Sequence, residues 1–326
     1  MRVAVGLDTY SYHTAASIWP PSPPEPLELP DYLERATELG LDGVASADMG
    51  HFDSAGPGYL GELKSKADEL GLYLEIGTGG TDPEHLDEAA RASEFFGQPV
   101  VRTFGSAGST WGGDFRAQLP SIARDLTQAA ELAARRGVTL AVENHQDLTS
   151  EELEALVTAV GPERLGVCLD TGNSLGVLEH PLDAARRLAP YTRTVHLKDY
   201  CVAPLGDGYV LVGCPLGTGS VPLEEIVALL REHSPAGELR LNIESALEFV
   251  PVSSMRGKRW TERHAGKAGA ILSAGLHTFS IEELSGEKWF CRPDAGPSID
   301  ELLAAEEMIV RGSVAKAREL AGRASV

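Results

Sequence analysis

Short apolar runs recur along the first three quarters of this chain, and a helical pattern follows nearly every one. The runs are VAVGL (3–7), GVASA (43–47), YLEIG (73–77), VVRTF (100–104), TLAVEN (139–144), GVCLD (166–170), TVHLK (194–198) and LRLNIE (239–244). Between them lie amphipathic segments such as PDYLERATELG, YLGELKSKADELG and PEHLDEAARASEFFG, which end in the glycine expected of a helix C-cap. PLDAARRLAPY and PLEEIVALLREH instead carry proline near the first turn, where a missing N–H costs nothing. Strand–helix alternation with short links predicts a parallel sheet. Eight such units in one chain predict an α/β fold of the (β/α)8 TIM-barrel type. A doubly wound open sheet is the alternative, but no strand is followed by G-x-G-x-x-G opening a helix. The G-x-G in PLGTGSVPLEEI (215–226) lacks the third glycine and follows a loop, and no phosphate-binding G-x-x-x-x-G-K-[ST] occurs.

Two segments fall outside the repeat. IWPPSPPEPLELP (18–30) is too rich in proline for an ordinary helix and is expected to wrap over the barrel mouth after strand one. Residues 249–294 follow strand eight, are richer in basic and aromatic residues, and exceed an ordinary β/α loop in length. They read as a lid, an oligomer contact or the seat of a small partner subunit. A last helix with a serine N-cap is expected over 298–322. The organisation is thus one barrel domain over 1–326, with its core at about 1–248.

Composition narrows the partners. With 43% hydrophobic residues, 326 residues can bury a sizeable core. A formal net charge of −20, spread along the chain, repels phosphates and argues against nucleic acid as a partner. No apolar run is long enough to span a bilayer, and the start shows no secretory signal. The four cysteines, Cys168, Cys201, Cys214 and Cys291, form no C-x-x-C pair. A reducing, cytoplasmic compartment is expected, with the cysteines as small core or loop residues.

The strand ends carry the chemistry. In a (β/α)8 barrel the active site lies at the C-terminal ends of the strands. Strand five ends on Glu143, with Asn144 and His145 beyond; strand six ends on Asp170; strand seven carries His196; strand eight ends on Glu244. Four successive strands therefore present a divalent-metal ligand at one edge. Three carboxylates and one imidazole suit Mn²⁺, Mg²⁺ or Co²⁺ better than a structural zinc site, which favours thiolates. Without a cation, such groups converging in a low-dielectric interior would repel and suffer desolvation.

Glu143, Asp170 in LDTGN, His196 in HLKD and Glu244 resemble the sugar phosphate isomerase/epimerase superfamily, the xylose-isomerase-like barrels. The resemblance covers roughly residues 1–250. It implies a bound divalent metal, Mn²⁺ first among Mn²⁺, Mg²⁺, Co²⁺ and Zn²⁺, held by Glu143, Asp170, His196 and Glu244. It further implies a sugar or keto-sugar substrate, turned over by α-proton abstraction through an enediolate, as by an isomerase or epimerase. In the ketose 3-epimerases of that superfamily the glutamates at the positions of Glu143 and Glu244 form the acid/base pair. The E-N-H run at 143–145 is similar to the catalytic subunits of C-glycoside deglycosidases, where a histidine base and Mn²⁺ act on 3-oxo-glycosides. His145 is thus a third proton-transfer candidate, or else a neighbour that orients a ligand. That similarity implies a lyase or dehydratase as the alternative reaction. Endonuclease IV, another member, needs further metal-binding groups that the ends of strands two and three do not clearly supply.

Around this centre, Tyr10 and His13 after strand one, Trp111 in STWGGD after strand four, and Lys198 of HLKD are the candidate substrate contacts. Each also has a structural reading: Trp111 packed on its own barrel, Lys198 as a strand-end salt bridge. Arg102 inside strand four reads as a lumenal charge paired with a ligand carboxylate, and His51 is a further rim residue. A sugar-binding scaffold that has lost turnover is the reading without catalysis.

Overall fold

The computed structural model describes residues 1–53, 57–105, 115–206, 208–252, 267–273 and 275–323. Eight parallel strands close a barrel: β1 (Arg2–Asp8), β2 (Gly43–Ala45), β3 (Tyr73–Gly77), β4 (Val100–Phe104), β5 (Thr139–Glu143), β6 (Leu165–Asp170), β7 (Thr192–Leu197) and, after an insertion, β10 (Glu238–Ile243). Each strand pairs with its neighbour in sequence, and β10 closes the ring on β1 with Arg2 opposite Glu238 and Leu7 opposite Ile243. The expected (β/α)8 barrel is the fold that forms.

Local chemistry explains the helices outside it. Thr149 and Glu152 exchange side-chain and backbone bonds in a capping box at the start of Ser150–Val160. Asp82 caps Pro83–Phe96, which ends on Gly97 at φ 69°, a left-handed conformation that glycine adopts without strain. The final helix, Ile299–Leu320, starts on a Ser298/Glu301 capping box and packs on β10 and on helix Leu223–His233. It therefore completes the outer wall rather than hanging from it.

Because side chains alternate along a strand, one set of residues fills the lumen. Towards the N-terminal end Glu75 bonds Thr194, Arg240 and Asn242, and Tyr73 donates to Asn242 at 2.6 Å. Gly6 and Gly43 leave the space that Tyr73 occupies, since a Cβ at either would strike its ring or hydroxyl. Towards the C-terminal end the lumen holds Asp8, Arg102, Glu143, Asp170, His196 and Glu244, all buried.

One element was not expected. After β7 the chain forms an antiparallel hairpin, β8 (Tyr200–Leu205) and β9 (Gly208–Gly213), and β11 (Phe249–Pro251) pairs with β9 to make a three-stranded sheet. Its apolar face, with Ala203, Val210 and Val212, buries Leu284, Trp289 and Ile309. Part of 249–294 is thereby packed onto the barrel. The stretch 18–28 is irregular, as its prolines require.

Candidate functional site

Four strand ends deliver Glu143, Asp170, His196 and Glu244 to one place. One donor atom from each lies within 4.8 Å of the others, and all four residues are buried. Glu143 and Asp170 are the last residues of β5 and β6, His196 is the penultimate residue of β7, and Glu244 follows β10 directly. The four residues expected from the strand ends are the four brought together.

Each carboxylate is aimed by named partners. Glu143 accepts from Arg102 Nε at 2.5 Å on Oε2 and from Asn173 Nδ2 at 3.0 Å on Oε1. Arg102 is itself fixed by Nη1 donating to the carbonyls of Ala47 and Thr78, both at 3.0 Å. Asp170 Oδ1 accepts from the backbone N–H groups of Gly172 and Asn173. Asn144 straps the Asp170 backbone, donating to its carbonyl at 2.9 Å and accepting from its N–H at 2.8 Å. Lys198 Nζ lies 2.7 Å from Glu244 Oε1 and 3.2 Å from Asp170 Oδ2. Asp8, at the end of β1, points its Oδ2 at His196 Nε2 across 3.6 Å.

Electrostatics separates these groups. Burial would raise the Glu143 carboxyl, but Arg102 and His196 hold it well below the usual carboxylate range. At Glu244 burial is likewise overcome, by Lys198 and His196, and the group sits at about 2. At Asp170 and Asp8 burial wins and pushes each up to about 7, against Lys198 and His196 respectively. Burial disfavours a charged His196, yet Cys168, Glu244 and Glu143 keep it well above an ordinary imidazole.

Oδ2 of Asp8, Oδ2 of Asp170, Nδ1 of His196 and Oε2 of Glu244 are buried and have no hydrogen-bond partner among the described residues. His196 Nδ1 and Glu244 Oε2 touch, and Lys198 lies near Asp170 Oδ2, but none of these approaches has hydrogen-bond direction. Unsatisfied acceptor atoms converging in a buried space are costly unless a partner such as a cation sits among them. The donor set of three carboxylates and an imidazole fits a hard or borderline divalent ion.

The other expected residues are distributed around this centre. Tyr10 lies in the turn Thr9–Tyr12 with its ring 5.7 Å from Lys198 Nζ. His13 stacks on Tyr10 and turns towards the last helix, with Nδ1 3.5 Å from Glu306 Oε1. Glu306, fully buried, also accepts from the N–H groups of Thr14 and Ala15, so that helix fixes the loop carrying both rim residues. His145 is half-buried and stacks on Phe104, ring centroids 4.3 Å apart, and Arg102 covers the Phe104 ring at 4.9 Å. His51 is half-buried and lies edge-on to Tyr32. Trp111 lies outside the described residues. Sequence reasoning missed Asp8, although VAVGLD ends on a carboxylate as strands five and six do. It also missed Asn173, whose link to Glu143 depends on the turn after β6.

Known proteins share this fold. The family model described as a xylose isomerase-like TIM barrel matches residues 33–244. A 3-oxo-isoapionate decarboxylase of Pectobacterium atrosepticum is 28% identical over 242 residues, which is 71% of this chain and 82% of that protein. The crystal structure of D-psicose 3-epimerase in the presence of D-fructose superposes with a TM-score of 0.62 at 17% identity, covering 98% of this chain and 99% of that one. A xylose isomerase-like TIM barrel protein from Mycobacterium smegmatis, in complex with magnesium, gives 0.56 at 16% identity, covering 83% of this chain and 97% of that one. At such identities the two solved structures speak for the fold.

Proposed function

The chain belongs to the family of xylose isomerase-like TIM barrels, and from that premise we propose that it is a divalent-metal-dependent enzyme acting on a sugar or keto-sugar through an enediolate, as an isomerase or epimerase. The observation that carries this reading is the convergence of Glu143, Asp170, His196 and Glu244, with buried acceptor atoms left unsatisfied among them. These four would hold the cation, Mn²⁺ in the first instance. When bound, it supplies positive charge that stabilises the negative charge developing on the substrate's oxygens.

The chain's own residues do the rest. Proton removal α to a carbonyl needs a base within hydrogen-bond reach. Glu143 and Glu244 both bring an Oε2 to His196 Nδ1, so two carboxylates meet at one point and are the first two candidates. His145, held by its stack on Phe104, is the third candidate. Lys198, anchored by Glu244 and Asp170, presents a cation beside the Tyr10 ring where a substrate oxygen would lie. Tyr10, His13 and Trp111 are the proposed substrate contacts.

A second reading has its own support. Arg102 and Asn173 occupy both oxygens of Glu143, which leaves less freedom for a two-base exchange. With the decarboxylase relative, this favours a lyase in which His145 is the one proton-transfer group: it removes the α-proton before a β-substituent departs with its electron pair, or it protonates the enediolate that departing CO₂ leaves behind.

The test is hydrogen–deuterium exchange in D₂O with Mn²⁺, followed by NMR over ketoses, inososes, 3-oxo-glucosides and oxo-sugar acids, with and without chelator. Chelator-sensitive exchange with the carbon skeleton kept supports the isomerase or epimerase. Released CO₂ or aglycone with solvent deuterium in the product supports the lyase. Bound metal without exchange on any of them would leave a sugar-binding protein and sink the enzymatic reading.

A further inference from the structure

Below the four convergent ligands lies a group that neither reaction uses. Cys168 is two residues before Asp170 on β6, so it faces the lumen one layer deeper. It is fully buried. Strand pairing sets it opposite Glu143 on one side and Thr194 on the other. The β6–β7 register shifts between Val167 and Cys168, the kind of irregularity that re-aims a side chain next to a functional site. The Cys168 sulfur and one donor atom each from Glu143 and His196 lie within 4.8 Å of one another. His196 Nδ1 is buried and without a hydrogen-bond partner among the described residues.

We propose that Cys168, Glu143 and His196 form a second, softer cation position at the cavity floor, suited to Zn²⁺ or another thiophilic divalent ion. Zinc bonds of about 2.3 Å to sulfur and about 2.0–2.1 Å to nitrogen and oxygen set tetrahedral donor separations of roughly 3.3–3.6 Å. Side-chain movements on the order of 1 Å bring the triad to that spacing. Both positions use Glu143 and His196, so one cation excludes the other. A hard ion gains most from the upper set, which adds Asp170 and Glu244. A thiophilic ion gains a sulfur by sitting lower, and in doing so leaves those two carboxylates. The site thus discriminates between metals by depth, and thiophilic ions compete with the upper ion instead of replacing it in kind.

This inference rests on the reading of Glu143 and His196 as cation ligands. The experiment is Cd²⁺ loading of the chelator-stripped full-length protein, read by ultraviolet difference absorption. A sulfur-to-cadmium charge-transfer band is expected in the native protein. It should vanish in Cys168→Ser and Cys168→Ala, with far-ultraviolet circular dichroism checking that both fold. It should persist when Cys201, Cys214 and Cys291 are all changed to serine, which assigns the band without touching Cys168. The Zn²⁺ concentration that displaces half of the bound Mn²⁺ should rise about tenfold or more in Cys168→Ser. Bound Cd²⁺ with no sulfur band in the native protein, or a band that survives Cys168→Ala, overturns the proposal alone. Failure to bind either Cd²⁺ or Mn²⁺ overturns it together with the metal reading beneath it.

Discussion

Replacing Lys198 by methionine keeps a long unbranched side chain, one atom shorter, and removes its charge. Lys198 is 3% exposed, and its ammonium lies between Glu244 and Asp170 at 2.7 and 3.2 Å. Without it two buried carboxylates lose their nearest cation. Removing one partner of a buried pair costs about 3–5 kcal/mol. Unfolding entropy near 2.1 cal/mol/K per residue gives roughly 0.7 kcal/mol/K for a chain of this length, so the metal-free protein should melt about 4–7 °C lower at pH 8. Saturating Mn²⁺ places new positive charge against the same carboxylates. The loss should then shrink to about half or less.

The pH dependence follows from Asp170. Burial holds its folded value at about 7, above the 3.8 of the exposed group. A raised carboxylate favours the fold in its protonated form. Its contribution is complete below about 3.8 and is lost as pH rises through about 7. In Lys198→Met the value rises further, so the metal-free variant should lose stability more steeply than the native protein between pH 6 and pH 8. Differential scanning calorimetry with EDTA or Mn²⁺ at both pH values measures all four states. An equal drop in melting temperature with and without Mn²⁺ would refute the claim that these carboxylates face a cation.

Three further outcomes are expected. His145→Gln should retain Mn²⁺ by isothermal titration calorimetry but lose on the order of 10²–10⁴ in turnover; unchanged turnover would remove His145 from the proton-transfer candidates. Mn²⁺ uptake should release more protons at pH 6.5 than at pH 8, because Asp170 and His196 hold protons in the metal-free protein. Calorimetry in two buffers of different ionisation enthalpy counts them, and a release that does not vary with pH would contradict the charge states described. Glu306→Gln keeps one acceptor for the N–H groups of Thr14 and Ala15 and loses the other, at a cost of about 1–3 kcal/mol. Denaturant unfolding reads the loss, and a neutral substitution would show that the last helix does not hold the loop of Tyr10 and His13.

Much of this was legible in the sequence because a barrel strand carries two signals at once. Its apolar run fixes where it lies, and the polar residue that ends the run marks the mouth. TLAVE ending on Glu143 and LGVCLD ending on Asp170 obey that grammar, and their strand ends coincide with the expected ones. VAVGLD obeys it too, so Asp8 was readable in principle. The hairpin of β8 and β9 was signalled by the D-G step at 207–208 between two apolar stretches, but it lies inside what reads as a β/α connection. Cys168 shows the opposite case. Its type and position say only that it is a small buried residue, and its place opposite Glu143 is a matter of register, set by how two neighbouring strands pair across the helix between them.

The two motifs also divide their labour in a way that limits what they can reveal. In LDTGN and HLKD Asp170 and His196 are the candidate ligands, and Asn173 and Lys198 reach the carboxylates beside them. Thr171 locks the two strand ends together, donating its hydroxyl to the Lys198 carbonyl at 2.7 Å and accepting from the Lys198 N–H at 2.8 Å. Gly172 gives room to the Tyr200 ring, which a Cβ would meet at 2.8 Å. Asp199 clasps the N–H groups of Tyr200, Gly217, Gly219 and Val221, fastening the G-x-G loop that sequence alone left without a role. Most of each motif therefore builds the frame of the candidate cation site, and a frame is what related barrels with different substrates can share. Discrimination among sugars has to come from groups outside it: Tyr10 beside Lys198 on a loop held by Glu306, and His145 stacked on Phe104 under the Arg102 guanidinium. Substitutions there should change which substrate is turned over while leaving the affinity for the cation largely intact.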